Sequence, residues 1–363
     1  MSTPNPHPLL ASSPDTFYRV LKRYGFDKKN LPKLIGIGAA VVARQPVSLY
    51  TKLRYGKEIA NQEIQQDPLF VVGHWRSGTT HLQNLLSKDP QFANVTLAHA
   101  ALPHEAPLLT GKRKEWIARS LPTSRLMDNL PVGIDVPWEE ELGMAACSLF
   151  SYYHISSFGQ KMNQVFEDTV LLEDASEKDK ANWWKAYSHF LRMVQRTQPN
   201  QRLLLKNPAN TARIRLLLNN FPRARFLHIH RNPYDVFSST VHLHEKAQEA
   251  WGLQETTRDL IVDHVLNSYP LLMRSWCEQK NEIPAGQLAE LRFEDLIIDP
   301  IATLQQAYSK LELDGFDDAR PNMEAYLSEH RNYQKNKFRL SEVEKERIAT
   351  EWEPWFKALG YDT

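Results

Sequence analysis

The strongest constraint on the fold is the apolar run Leu69-Phe70-Val71-Val72 and the polar stretch after it, Gly73-His74-Trp75-Arg76-Ser77-Gly78-Thr79-Thr80. A short apolar run directly after Pro68 has the form of an interior strand in a parallel sheet, covered on both faces. Leu82, Leu85 and Leu86 then recur at helical spacing. The polar stretch therefore occupies a strand-to-helix turn, where backbone N–H groups and the positive end of the helix dipole converge. Such a turn suits a phosphate-like anion. Gly73 and Gly78 have the separation of the nucleotide-triphosphate loop G-x-x-x-x-G-K-[ST], but Thr79 stands where that loop needs lysine. The nearby cation is Arg76, whose planar guanidinium matches an oxygen pair on a sulfonate or phosphate. Taken alone, the stretch also fits an ordinary strand–turn–helix that happens to contain an arginine.

A second turn narrows the choice. Arg225-Phe226-Leu227-His228-Ile229-His230 reads as another buried strand, followed by Arg231-Asn232-Pro233-Tyr234-Asp235. Asn232 is a good helix N-cap and Pro233 suits the first helical position. Arg231 then sits at the carboxyl end of the strand, and Ser239 about two turns into the helix. Ligands of open parallel sheets bind at the carboxyl ends of strands, so two strands of one sheet would bring both turns to one rim.

Together these residues resemble the sulfotransferases. Val72 to Thr80 is similar to their 5′-phosphosulfate loop, and Arg231 with Ser239 to their 3′-phosphate site. The likeness is nearest to the broad bacterial and carbohydrate-type branch, where arginine often replaces the loop lysine. It extends from about Pro68 to the C-terminus through Leu203-Leu-Leu-Lys-Asn-Pro208, Arg292-Phe-Glu-Asp-Leu296 and the stretch from Trp352 to Tyr361. The resemblance implies 3′-phosphoadenosine 5′-phosphosulfate (PAPS) as co-substrate, no metal, and a hydroxyl-bearing small-molecule, lipid or saccharide acceptor. It implies cofactor binding by Arg76, Ser77, Gly78, Thr79, Thr80, Arg231 and Ser239. Lys335 and Lys337 resemble the late basic segment that closes over the nucleotide; a solvated charge cluster accounts for them equally well.

The coarse pattern is α/β. Leu203-Leu204-Leu205 reads as a strand, Ala209 to Asn220 as a helix, Ile261 to Glu282 as a long helix, Ala289 to Phe293 as a last strand, and Ile301 to Leu311 as a helix. Strands alternating with helices imply a P-loop-like, mostly parallel central sheet flanked by helices. Lys112 to Gln198 has few strand signals and reads as a helical insertion (112–198) that shapes the acceptor pocket. Its aromatic residues Tyr152, Tyr153, Phe158, Trp183 and Trp184 divide between core and pocket lining, with core favoured for at least half. Residues 1–60 form an N-terminal basic, partly amphipathic extension and 61–363 the sulfotransferase domain.

Lys206 leaves the end of its strand on the same rim as both anion sites, placed to hold an oxygen of the sulfuryl group, or it is a solvated lysine opening the Asn207-Pro208 turn. Sulfuryl transfer also needs a base for the acceptor proton. The resemblance points to the segment after the first helix, Phe92 to Glu105. His99 is the first candidate there, with His104 and Glu105 close behind. Glu139-Glu140-Glu141, after Asp135-Val136-Pro137-Trp138, resembles an acidic cluster of related enzymes. Three adjacent carboxylates cannot share one helix face, so one or two should be solvated; Glu140 could serve as the base or as the orienter of a histidine. The expected catalytic set is thus His99, Glu140, Lys206 and Arg76.

Composition trims the alternatives. A formal net charge of +1 over 363 residues argues against a general nucleic-acid binder. Two cysteines, Cys147 and Cys277, make neither a disulfide framework nor a metal cluster, in keeping with a reducing, cytoplasmic setting. His242 and His244 read as flanking a helix. The run Leu34 to Ala43 is too short to cross a bilayer, which takes roughly 20 apolar residues. Between residues 17 and 57, Arg19, Lys22, Arg23, Lys28, Lys29, Lys33, Arg44, Lys52, Arg54 and Lys57 face Asp27 alone. That segment either makes a peripheral contact with an anionic membrane or packs on the domain with its lysines in water. A nucleotide-dependent kinase is the first alternative function, weakened by Thr79 and by the lack of a clear magnesium-binding aspartate. A catalytically silent nucleotide-binding, membrane-associated protein is the second. Oligomeric state is left open.

Overall fold

Five short strands pair in parallel, the three central ones apolar enough to be covered on both faces and the edge strand Leu288–Arg292 alternating buried with exposed residues. They are β1 (Leu69–Val72), β2 (Phe92–Asn94), β3 (Arg202–Lys206), β4 (Arg225–His230) and β5 (Leu288–Arg292), in the order β2-β3-β1-β4-β5. The computed structural model describes residues 6–121, 132–172, 175–330 and 340–363. Lys335 and Lys337 lie outside them. The described chain divides into two units: residues 1–65, 95–200 and 243–261 in one, and 66–94, 201–242 and 262–363 in the other.

The second unit holds the sheet. Leu69 is in register with Arg225 and with Leu204, and Val71 with Leu227 and Lys206. The carboxyl ends of β1, β3 and β4 therefore lie side by side. From β1 the chain departs toward β2, and from β4 it departs toward β5, in opposite directions across the sheet. The gap between the ends of β1 and β4 is thus the switch point where open sheets bind ligands. One face of the sheet is sealed by Leu69, Val71, Leu227 and Ile229 against Leu82, Leu85, Leu304 and Tyr308 from the helices Thr79–Leu86 and Pro300–Lys310. The other face carries Phe70 stacked on Phe226 at 5.4 Å, with Phe221 beside it.

Several elements depart from the sequence reading. Asn207 accepts from the Ala209 N–H at 3.0 Å and Pro208 tightens the next residues into a 3₁₀ turn, Pro208–Ala212. The helix expected from Ala209 therefore begins only at Ile214 and ends at Asn220. The long helix runs Arg258–Gln279, followed by the 3₁₀ turn Lys280–Glu282. His242 and His244 lie inside the helix Pro233–Trp251 rather than at its flank.

The first unit is helical. Its longest elements are Pro14–Tyr24, Leu31–Ala43, Gln45–Asn61 and Glu177–Thr197. A short antiparallel contact ties Val95 to Ala98 against Ile134 to Trp138: Trp138 N–H donates to the Val95 carbonyl at 2.8 Å and Leu97 N–H to that of Val136 at 3.0 Å. Tyr152, Phe158 and Trp183 are buried, whereas Tyr153 and Trp184 are half-buried.

Candidate anion site at the sheet rim

The loop after β1 takes its path from backbone that side chains would obstruct. Gly73 has φ 141°, and a Cβ there would lie 2.2 Å from the Ile229 carbonyl oxygen. Gly78 has φ 103°, and a Cβ there would strike the Phe293 ring at 2.3 Å. Both positions favour glycine on conformation and on space. Arg76 also has positive φ, 68°. The Ser77 hydroxyl donates to the His74 carbonyl at 2.7 Å. Thr211 clamps the loop from the 3₁₀ turn after β3: its hydroxyl accepts from the Gly73 N–H at 2.8 Å and donates to the Gly73 carbonyl at 3.2 Å. Gly78 then begins the helix Thr79–Leu86, with no side-chain cap among the described residues. Its N-terminal N–H groups point into the same turn.

The two predicted anion sites meet. Arg76 Nε donates to Ser239 Oγ at 2.9 Å, and Arg231 Nη1 approaches the Arg76 carbonyl at 3.5 Å. Arg231 is held by Asp235, which accepts from Nε at 3.2 Å and Nη2 at 2.8 Å, and it lies over Phe293 at 4.7 Å. Asn232 accepts from the Tyr234 N–H at 2.9 Å, the cap that starts the helix carrying Ser239. Lys206 is only 1 % exposed, with its Nζ 3.4 Å from the Thr80 hydroxyl. Three cations from the ends of three neighbouring strands therefore lie along one rim with two hydroxyl side chains and a helix N-terminus. Gathering like charges raises the local potential and favours a multiply charged anion.

Behind the loop, His74 is buried against Trp75 and Tyr269, and burial lowers it to about 4. Tyr269 in turn stacks on Trp352 at 3.9 Å. The closing stretch ends with Tyr361, whose hydroxyl donates to Glu294 at 2.7 Å, while Glu294 accepts the Asn232 N–H at 3.1 Å. Thr211, Asp235 and Phe293 were not singled out by sequence reasoning. Asp235 was within reach as an i,i+4 partner of Arg231. Thr211 had no signal, because its role depends on a 3₁₀ turn from another strand.

The predicted bases lie in the helical unit. His99 is buried as the third residue of a capping box: its Nδ1 accepts the Thr96 N–H at 3.2 Å, and Nε2 meets the Thr197 hydroxyl at 3.2 Å. Thr197 donates its own proton to the Val194 carbonyl, so Nε2 carries the imidazole proton. Burial, aided by Lys114, lowers His99 to about 4. His104 is likewise lowered by burial. Glu105 pairs with Arg44 and accepts from Ser48 at 2.6 Å. Glu140 is fully buried and its Oε1 accepts the Tyr187 hydroxyl at 3.0 Å. Glu141 is buried too, accepting the Tyr152 N–H at 2.8 Å. The expected solvation of this acidic run is confined to Glu139, which is half-buried. The helix Glu140–Cys147 begins at Glu140, which sets Glu139 outside it. Among the described residues no group of three or more His, Cys, Asp or Glu is arranged to hold a metal ion.

Comparison with known proteins agrees with this geometry. A model of the Sulfotransferase family matches residues 68–318. The omega-hydroxy-beta-dihydromenaquinone-9 sulfotransferase Stf3 of Mycobacterium tuberculosis and of Mycobacterium bovis is 32 % identical over 316 residues, covering 87 % of this chain and 81 % of theirs. Sulfotransferase STF9 from Mycobacterium avium superposes with a TM-score of 0.68 at 15 % identity, covering 97 % of each chain. Sulfotransferase STF1 from Mycobacterium tuberculosis gives 0.62 at 19 % identity, covering 92 % of this chain and 90 % of that one. Those two likenesses bear on the fold alone. The family match over most of the rim-forming chain, together with the relatives at 32 % identity, places this chain in the sulfotransferase family.

Proposed function

We propose that the protein transfers a sulfuryl group from PAPS to the hydroxyl of a lipid acceptor. The observation that carries the donor reading is the interlock of Arg76, Ser239 and Arg231 where β1 and β4 end together, with Lys206 and Thr80 beside it on the same rim. PAPS carries anions at both ends, which suits a rim with cations at separate strand exits. Gly73 and Gly78 let the loop pack against Ile229 and Phe293 on its way into the helix Thr79–Leu86, whose N-terminal N–H groups suit an oxyanion at the rim.

When bound, the nucleotide supplies the sulfuryl group and the leaving phosphate. Arg76, Ser77, Gly78, Thr79 and Thr80 hold the phosphosulfate end, and Arg231 with Ser239 the ribose phosphate. Lys206 and Arg76 stabilise charge that builds on the bridging and peripheral oxygens, so positioning and electrostatics provide most of the acceleration, as in phosphoryl transfer. Lys335 and Lys337 are carried as further nucleotide contacts. As the acceptor oxygen bonds to sulfur, the bond from sulfur to the leaving phosphate breaks and the acceptor proton passes to a base. Of the base candidates we place Glu140 before His99. The lone pair of His99 is taken by the Thr96 N–H, and an imidazole lowered to about 4 is a weak proton acceptor near neutral pH. The lipid acceptor class is carried over from the mycobacterial relatives, which are named for a menaquinone substrate.

The test is thermal. Adenosine 3′,5′-bisphosphate at about a hundred times its Kd should stabilise the chain by about 2.7 kcal/mol through mass action, and ATP by less. Arg231→Ala should weaken that nucleotide about a hundredfold, the size of losing charge-assisted phosphate contacts. Equal stabilisation by ATP, or an unaltered Arg231→Ala variant, would overturn the assignment.

A further inference from the structure

The helix Leu31–Ala43 is apolar on two opposite sides. Leu34, Ile37 and Val41 face the interior. Leu31, Ile35, Ala39 and Val42, at i, i+4, i+8 and i+11, form a second stripe that faces water, with Ile35 and Val42 each 64 % exposed. The next helix, Gln45–Asn61, continues it with Tyr50 and with Leu53 at 77 % exposure. Every exposed residue from Leu31 to Tyr50 is aliphatic, aromatic, glycine or proline. A solvated surface helix has the opposite arrangement, with charge outward. Single exposed apolar residues are ordinary, but a continuous stripe is not.

The cations of the stretch sharpen the pattern. Lys33 and Arg44, which fall within the apolar span, are turned back into the unit. Lys33 donates to the Gly252 carbonyl at 3.2 Å, and Arg44 pairs with Glu105. Lys28 stands exposed ahead of Leu31–Ala43, with Lys29 beside it paired to Glu255 at 3.3 Å, and Lys52 and Lys57 stand exposed along Gln45–Asn61. No acidic residue occurs between Lys28 and Lys57. An apolar stripe with cations at both ends, its one carboxylate Glu58 held by Arg54 and Arg196, matches a bilayer surface, whose acyl boundary takes the stripe and whose anionic headgroups take the lysines. A second copy of this face would bring the same cations together and is disfavoured by repulsion.

We infer that the helices Leu31–Ala43 and Gln45–Asn61 form a docking face for an anionic membrane leaflet, inserted to the depth of the stripe. No helix of the described residues is long and apolar enough to cross a membrane, so the contact lies in the interface plane. The biological purpose of the face rests on the lipid-acceptor reading, but its test requires no turnover.

The experiment is flotation of the full chain with phosphatidylcholine vesicles, with and without phosphatidylglycerol. The chain should float with the anionic vesicles and less with the neutral ones. Roughly 1 M salt, by shortening the Debye length to about 3 Å, should reduce the difference. The double variant Ile35→Asp, Val42→Asp should lose more than about tenfold in partitioning, and Lys52→Glu with Lys57→Glu should lose the preference for anionic lipid. All four side chains are exposed, so both variants should keep the wild-type melting temperature and its rise with adenosine 3′,5′-bisphosphate. Wild-type chain left at the bottom of both gradients would overturn the inference, as would flotation unchanged in the aspartate variant. A dimer abolished by that variant, in a chain that does not float, would assign the face to self-association instead. Loss of the bisphosphate response with flotation intact would strike the donor reading and leave the docking face standing.

Discussion

Two polar clusters in this chain are built on different principles. At the sheet rim, Arg76, Lys206 and Arg231 are each set by the end of a strand, so a few residues of local sequence decide where each emerges. In the helical unit, His99, Glu105 and Glu140 are satisfied by Thr197, Arg44 and Tyr187, each 47 or more positions away. The rim's polar groups find their partners within the turns and helices that leave neighbouring strands. The helical cluster spends its polar groups on one another. Chemistry at strand ends is therefore separable from stability, whereas a base drawn from the helical cluster must serve the fold as well.

The contrast breaks first at Gly73. Valine there would need both a positive φ and room for a Cβ 2.2 Å from the Ile229 carbonyl, which is backbone and cannot swing aside. Such clashes rank among the large single-site effects, so Gly73→Val should cost more than about 4 kcal/mol in urea unfolding. A loss under about 1 kcal/mol would mean that the loop adapts, and that its shape is not fixed by its glycines.

The rim was legible in advance because its signals are short-range. An apolar run, two glycines, an arginine and then helical leucines mark a strand exit regardless of what lies opposite. Asn232-Pro233 marks the second exit in the same way, and the structure sets β1 beside β4 with those exits together. The helix predicted from Ala209 failed because Asn207 and Pro208 favour a tight turn over a regular helix start. β2 is three residues long and carries no periodicity to read. The helical cluster was legible only as a set of residue types. Nothing in the neighbourhood of His99 announces that Thr197 closes its second nitrogen, or that Tyr187 meets Glu140.

The next effect distinguishes a structural histidine from a catalytic one. His99 is held near 4 in the folded chain against an ordinary value of 6.5, with burial the main cause. The unfolded chain therefore takes up that proton first as pH falls. The stability from neutral His99 is present above about 6.5, drains between there and about 4, and amounts to about 3 kcal/mol by the end of that window. His74 and His154, also lowered to about 4, add to the same loss. His99→Gln, which keeps an acceptor and a donor, should be less stable than wild type at pH 7 and should lose less on acidification. Urea unfolding at the two ends of the window reads the difference. Parallel curves would show His99 open to solvent and restore it as the leading base.

The smallest effect bears most directly on the helical cluster. Tyr187 lies flat on Trp183 at 4.7 Å and donates its hydroxyl to Glu140. Tyr187→Phe preserves the stack and removes one donor from a buried carboxylate, a cost of about 1–2 kcal/mol. If Glu140 is the base, its two neighbouring substitutions should separate. Glu140→Gln removes the proton acceptor and should lower turnover by roughly 10²–10⁴, while Tyr187→Phe leaves the acceptor in place and should lower it by less than about tenfold. Should Glu140→Gln retain turnover while losing stability, Glu140 would be a packing group like His99. The base would then have to be sought among the remaining titratable residues of the helical unit.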